Sequence, residues 1–322
     1  MKGAAPKPPI VAHFSLTDAC NLSCLHCDIW KRKVGSELKL EQWEKIVEQL
    51  SDWLGPFILK IAGGEPLVRK WLPDLISFAR KRDIFVGVSS NGMLLDRPAV
   101  HRLLDAGLNE INISLDSLNP GLHDHVRNTP GCHQSAVQAL RYFKESGAKV
   151  EINVATVIMD QNIDELVDIA WWVKENGLRT LTFQPLMQNF GADYDPAWYK
   201  TSPFFPRRID LLNRVIDELI EFRKKYWIVG NHENQLNMMK FYFENPEHEP
   251  LEPCAAGVGD VGFDPFGNLY LCFNLDPVGN ILEKTPQEIF FGDSAARRRT
   301  DIARCKRSCY LLNCVAADEV FD

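Results

Sequence analysis

Cys20, Cys24 and Cys27 fall within eight residues of one another, in the run Asp18-Ala19-Cys20-Asn21-Leu22-Ser23-Cys24-Leu25-His26-Cys27-Asp28. Three thiolates at C-x3-C-x2-C spacing can close on one metal centre, and no fourth cysteine follows at short range. A four-iron cluster ordinarily takes four cysteines. Held by three, it leaves one iron open to a substrate or cofactor, so the spacing points to reaction chemistry more than to structure. A zinc ion is the competing reading, although zinc prefers paired C-x2-C units with a fourth Cys or His. His26, between two of the cysteines, is badly placed to join them on one ion. A disulfide framework does not suit a chain of 322 residues without a secretory signal, and nine cysteines is an odd number.

Further polar groups stand at regular intervals. Gly63-Gly64-Glu65-Pro66 reads alone as a turn, but paired glycines also let backbone approach a ligand closely, and Glu65 could accept from a cationic amine. Ser89, Ser90 and Asn91 close one apolar segment. Ser114 and Asp116 close another, and alternation puts them on one face. They read either as helix caps or as buried groups waiting for a polar ligand. Arg127 follows in His123-Asp124-His125-Val126-Arg127, where the histidines read as surface or structural residues, and Gln184 ends a later segment.

The elements that would position these groups alternate. Strand-like segments at 10–16, 57–62, 84–88, 110–115, 150–157 and 180–183 are separated by helical periodicity at 38–53, 71–82, 97–106, 135–146 and 163–176, and a long amphipathic helix follows at 209–225. Six strand–helix units in series predict an α/β fold with a parallel sheet, curled into a partial (βα)6 TIM-like barrel. Ligands of such sheets sit at the C-terminal strand ends, where the cysteine loop, Gly63–Glu65, Ser89–Asn91, Ser114–Asp116 and Gln184 all fall. Residues 1–9 read as a flexible lead-in, 10–230 as the barrel, and 231–322 as a small cysteine-rich domain. The stretch 187–207, rich in aromatics, Pro and Asp, reads as a long functional loop.

Composition narrows the class. The chain is 45% hydrophobic with a formal net charge of −7. It can bury a substantial core and lacks the basic balance of a general nucleic-acid binder. No run of about 18 apolar residues predicts a membrane span, and without an apolar signal segment the expected location is cytoplasmic, where thiols stay reduced.

The cysteine triplet, with His26 before its last member, resembles the signature of the radical S-adenosylmethionine (SAM) superfamily. The resemblance implies that Cys20, Cys24 and Cys27 hold a four-iron cluster whose fourth iron is chelated by SAM. Reduction then cleaves SAM to a 5′-deoxyadenosyl radical that abstracts hydrogen from a substrate. It also implies that Gly63, Gly64 and Glu65 meet the SAM amino group and that Ser89, Asn91, Ser114 and Asp116 serve its ribose side. Arg127 would neutralise its carboxylate, and Val157 and Gln184 would lie against adenine. The later cysteines resemble the auxiliary-cluster extension known as SPASM, or its shortened twitch form: Cys254, then Gly267 and Cys272, then Cys305, Cys309 and Cys314. The full extension uses seven cysteines for two clusters; five remain here, so one auxiliary four-iron cluster is expected. Cys254, Cys272, Cys305 and Cys309 are the preferred set, with Cys314 the rival for one place and a zinc-stabilised tail the alternative. Cys132 fits neither group and reads as a small buried residue. Arg297, Arg298, Arg299, Arg304, Lys306 and Arg307 could receive an acidic electron donor, flavodoxin or ferredoxin, or form a solvated face. Only nine residues precede the first strand, which leaves no room for a leader-binding domain. A small-molecule substrate is therefore expected, through C–H oxidation, epimerisation or rearrangement, with maturation of a ribosomal peptide as the alternative.

Overall fold

The computed structural model describes residues 6–32, 35–188, 192–193, 195–249, 254–307 and 309. Six strands, β1 (Val11–Ser15), β2 (Ile58–Ala62), β3 (Phe85–Ser90), β4 (Glu110–Ser114), β5 (Glu151–Ile158) and β6 (Thr180–Pro185), pair in parallel and in sequence order. Between them run α1 (Leu40–Leu54), α2 (Leu72–Arg80), α3 (Arg97–Asp105), α4 (Pro120–Arg127), α5 (Cys132–Glu145) and α6 (Leu166–Glu175). Helices α7 (Trp198–Thr201), α8 (Ile209–Tyr226) and α9 (Glu233–Glu244) follow β6. This is the expected partial barrel of βα units. The sheet does not stop at six strands. β7 (Asp260–Phe263) pairs in parallel with β1, placing Val11 beside Asp260, and carries antiparallel β8 (Asn268–Tyr270) and β9 (Gly279–Asn280). Helices α10 (Pro286–Phe290) and α11 (Asp293–Ala303) close the described chain.

The helices form because their apolar residues recur at helical spacing. In α1 the buried side chains are Trp43, Ile46, Val47 and Leu50. Starts are fixed locally: the Asp96 side chain accepts from the Ala99 N–H at 2.7 Å, with proline in the first turn of α3. The Asn119 side chain caps α4, a helix the periodicity did not reveal because it is only eight residues long. Strand β1 alternates, with Ala12 and Phe14 buried. The Phe14 ring meets Trp43 of α1 at 4.6 Å and Phe263 of β7 at 5.4 Å. One apolar core therefore runs from the barrel into the cysteine-rich region. Truncating such a residue typically costs about 3–5 kcal/mol. Between Cys254 and Cys272 lies the hairpin β7–β8, turning at Gly267, whose φ of 84° favours glycine. Part of the predicted loop at 187–207 is the short helix α7. Among the described residues, no helix is long and apolar enough to cross a membrane.

Candidate functional site

Strand β1 delivers Thr17 and Asp18 into the cysteine loop, and Glu37 fastens them. Its carboxylate accepts from Thr17 Oγ1 at 2.7 Å and from the Asp18 N–H at 2.8 Å, and it pairs with Arg69. From the other side α4 grips the loop: the Leu25 N–H donates to the Val126 carbonyl at 2.9 Å, and Asn128 Nδ2 donates to Ser23 Oγ at 2.9 Å. Trp30 Nε1 donates to the Cys24 carbonyl at 3.3 Å. Cys20, Cys24 and Cys27 thus share one small apolar cluster with Leu22, Met93 and Cys132.

The three thiols and their surroundings fit an iron–sulfur cluster. Burial raises the pKa of each, that of Cys20 to about 11, so ionising them needs a compensating cation, which a metal centre supplies.

The loop forms one wall of a cavity of about 250 Å³ at the C-terminal strand ends. Gly63, Gly64, Glu65, Ser89, Asn91, Ser114, Arg127, Val157 and Gln184 all line it, together with Ser90. Sequence reasoning missed Trp30 and Leu186, while Met187 and Gln188 begin the stretch 187–207 that it read as a functional loop. His26 is in the wall too. Its enclosed Nδ1 meets no hydrogen-bond partner among the described residues, and burial, then the Arg127 charge, hold its pKa down at about 4. A neutral imidazole with an unmet nitrogen beside a cavity suits a polar ligand.

The glycine pair, which lines the cavity, also lets the cysteine loop itself approach closely. A Cβ on Gly64 would lie 2.3 Å from the Ala19 carbonyl oxygen, while the Gly64 and Glu65 N–H groups donate to Thr17 and Ala19 carbonyls at 2.6 and 2.9 Å. Glu65 is likewise turned inward, 1% exposed, accepting from Leu67 N, Ser90 Oγ and Asn91 N at 3.2, 3.0 and 2.8 Å. Burial raises its pKa to about 7 despite these donors. Asn91 Nδ2 in turn donates to Asn21 Oδ1 at 2.9 Å, so the β2 and β3 ends both brace the loop.

Ser114 faces the cavity, but Asp116 does not share its wall. The chain leaves β4 at Ser114, so strand alternation no longer applies at Asp116. Its Oδ2 receives Arg127 Nε and Nη2 at 2.8 and 2.7 Å, and its Oδ1 accepts from the Val157 N–H at 3.0 Å. Burial opposes ionisation of Asp116, but Arg127, His26 and His123 outweigh it and hold its pKa below the usual range. His123 is fully buried, and its Nδ1 accepts from the Asp116 N–H at 3.1 Å. Asn162, also unforeseen, donates to the Asp116 and Val157 carbonyls at 2.7 and 2.8 Å.

The C-terminal cysteines gather separately. Cys254 precedes β7, Cys272 follows β8, and Cys305 and Cys309 follow α11. They are close enough to interact electrostatically: burial raises Cys309 to about 12, and Cys272, Cys254 and Cys305 push the same way. Cys314 lies outside the described residues. Of the nearby cations, Arg298 pairs with Asp276 and Asp301, Lys306 pairs with Glu249, Arg299 lies over the Phe290 ring, and Arg307 donates to the Asn274 carbonyl. Much of that basic run is therefore tied into the protein's own surface.

Residues 14–173 match the sequence profile of the Radical SAM superfamily. The chain is 32% identical over 162 residues to the PqqA peptide cyclase of Granulibacter bethesdensis, which covers 50% of this chain and 42% of that protein. It is 31% identical over 299 residues to the Fe-coproporphyrin III synthase of Methanosarcina barkeri, covering 88% of this chain and 74% of that protein. The solved structure of Streptococcus suis SuiB bound to S-adenosylmethionine shares the fold, with a TM-score of 0.68 at 17% identity over 88% of this chain and 66% of that one.

Proposed function

This chain belongs to the radical SAM superfamily, and on that premise we propose that it opens a C–H bond of an organic substrate, with a four-iron cluster on Cys20, Cys24 and Cys27 and SAM in the cavity beside them. The observation that carries this reading is that three thiols and the polar ends of four strands share one cavity. Cluster and SAM, when bound, supply one-electron chemistry that protein side chains cannot. The chain's own residues hold and shield them. Glu37, Arg69 and α4 fix the cysteine loop. Gly63, Gly64, Glu65 and Asn91 brace it from beneath. Ser89, Ser114 and Gln184 offer hydroxyl and amide groups to SAM, and Val157 offers an apolar face. Four of Cys254, Cys272, Cys305, Cys309 and Cys314 hold one auxiliary four-iron cluster, which accepts the electron left after hydrogen abstraction or positions substrate. Flavodoxin or ferredoxin is the proposed electron donor, and the reducing cytoplasm the proposed location.

The proposed substrate is a small molecule, modified by oxidation, epimerisation or rearrangement. Peptide maturation is the second reading, favoured by the similarity to a peptide cyclase. A short precursor peptide encoded beside this protein would decide for the second. The experiment for the shared first step is anaerobic reconstitution. A variant with Cys20, Cys24 and Cys27 all changed to Ala should lose about four irons, one cluster's worth, and all SAM cleavage. Undiminished cleavage in that variant rejects the reading.

A further inference from the structure

The inner face of the sheet stays polar below the cavity. Ser89, which lines the cavity, stands in register with Asn112, Asn153 and Thr180 across β3 to β6. Two residues back along the strands, about 7 Å lower, His13, Lys60, Gly87 and Glu110 stand in register on β1 to β4. Leu59 and Ile61, on either side of Lys60, are buried in the apolar core, so alternation turns Lys60 inward. Lys60 Nζ lies 2.7 Å from both Glu110 oxygens, and Asn112 Nδ2 donates to Glu110 at 2.5 Å. Gly87 leaves room for the pair: a Cβ there would lie 2.9 Å from Glu110 Oε1 and 3.1 Å from Lys60 Cδ. The partners are unequally placed. The Glu110 side chain is 10% exposed and that of Lys60 33%, although β2 is flanked by strands on both sides. A recessed carboxylate, itself held by an amide, therefore presents an ammonium group to the hollow of the barrel.

We propose that Lys60 binds substrate: the hollow below the cavity takes a molecule whose far end carries an anionic oxygen group, a carboxylate or a phosphate ester, while its other end faces the cysteine loop. The inference rests on the function proposed above and names the substrate class. An ammonium has three donors, and Glu110 is the acceptor that Lys60 meets among the described residues. A charge-assisted bond to an anionic oxygen uses what remains. Glu110 and Asn112 keep the Lys60 side chain in place, so an anchored substrate is oriented as well as held. The uncharged layer of Asn112, Asn153 and Thr180 above it offers amide and hydroxyl groups to the middle of such a molecule.

The test is isothermal titration calorimetry on the anaerobically reconstituted, SAM-saturated full chain. The probes are glutarate, its neutral diamide glutaramide, and inorganic phosphate. Glutarate or phosphate should bind at least about tenfold more tightly than glutaramide, and whichever of the two binds more tightly identifies the anionic group. Changing Lys60→Gln together with Glu110→Gln removes both charges without leaving either one unpaired. That variant should lose at least about tenfold in affinity for the anion while SAM affinity stays within about threefold. Anion affinity unchanged in the double variant overturns the inference, and so does an unaltered chain that prefers neither anion to glutaramide. If the double variant no longer binds SAM, Gly87→Ala decides: its Cβ displaces the ion pair and should weaken the same anion, and unchanged affinity there overturns the inference. Failure of the unaltered chain to bind SAM would sink the proposed function instead, so the two failures are distinguishable.

Discussion

The two cysteine sites are built on opposite plans. At the N-terminal site three thiols sit on a loop stitched by side chains from elsewhere in the chain: Glu37, Arg69, Asn91, Asn128 and Trp30 all bear on it directly or through one partner. That site opens onto a cavity and faces a buried cation. At the C-terminal site four thiols, carried by a short hairpin and a helix end, lie close enough that three of them add to the burial that raises Cys309. A site that must leave one metal position open cannot rely on its ligands alone to hold its shape, so the protein supplies the rigidity. A site that can fill every position with cysteine is cross-linked by the metal itself. The first plan suits chemistry and the second suits electron storage or structure.

The comparison breaks most sharply at Gly64. Gly64→Val drives a side chain into the Ala19 carbonyl, 2.3 Å from the new Cβ, where only backbone could yield. SAM cleavage should fall at least about 100-fold, as misplaced reacting groups cost, while the C-terminal site keeps its iron. Near-normal formation of 5′-deoxyadenosine would show that the loop tolerates displacement.

The converse change is Cys254, Cys272, Cys305 and Cys309 all to Ala. Iron should drop by about four per chain while SAM cleavage continues. If the second cluster accepts an electron, the variant abstracts hydrogen yet stalls before an oxidised product. Full product formation would leave that cluster a structural role and favour a redox-neutral reaction. Zinc in place of iron at this site would remove the auxiliary cluster altogether.

Smaller effects sharpen the contrast. Glu37→Gln removes the ion-pair partner of Arg69, leaving it the Thr17 hydroxyl, and weakens two further hydrogen bonds, at a cost of about 2 kcal/mol. Urea unfolding measures this, and an equal loss in a variant lacking Arg69 as well would confirm the pairing. His123 gives a pH effect confined to the N-terminal site. Burial lowers its pKa to about 4 from an ordinary 6.5, with Asp116 opposing and Arg127 assisting. The folded state therefore binds its proton less readily than the unfolded chain. Stability from this group is full above 6.5 and lost as pH falls toward 4, about 2 kcal/mol of it by pH 5. His123→Gln should flatten the decline in unfolding free energy between pH 7 and pH 5; an unchanged slope would mean the ring titrates normally.

The sequence by itself determined the order of strands and helices, because a parallel sheet needs apolar strands alternating with amphipathic helices and both periods are local. It also determined that thiols would converge at residues 20–27, because three ligands within eight residues can hardly be kept apart. Tertiary structure decided what no local pattern carries. Glu37 had no motif around it, and only the fold brings it between Thr17 and Arg69. Ser114 and Asp116 have strand-like spacing, yet the chain turns out of the sheet between them, so one faces the cavity and the other takes Arg127. The glycine pair was legible as a place of close approach, and only the fold brings the backbone of Asp18 and Ala19 against Gly64. Strand β7 is short, and its pairing with β1 depends on Phe263 meeting Phe14 across nearly the whole chain. Local sequence fixes which groups are available and how they are spaced. Long-range packing fixes which of them face one another, because a side chain's partner is set by the burial of every element around it.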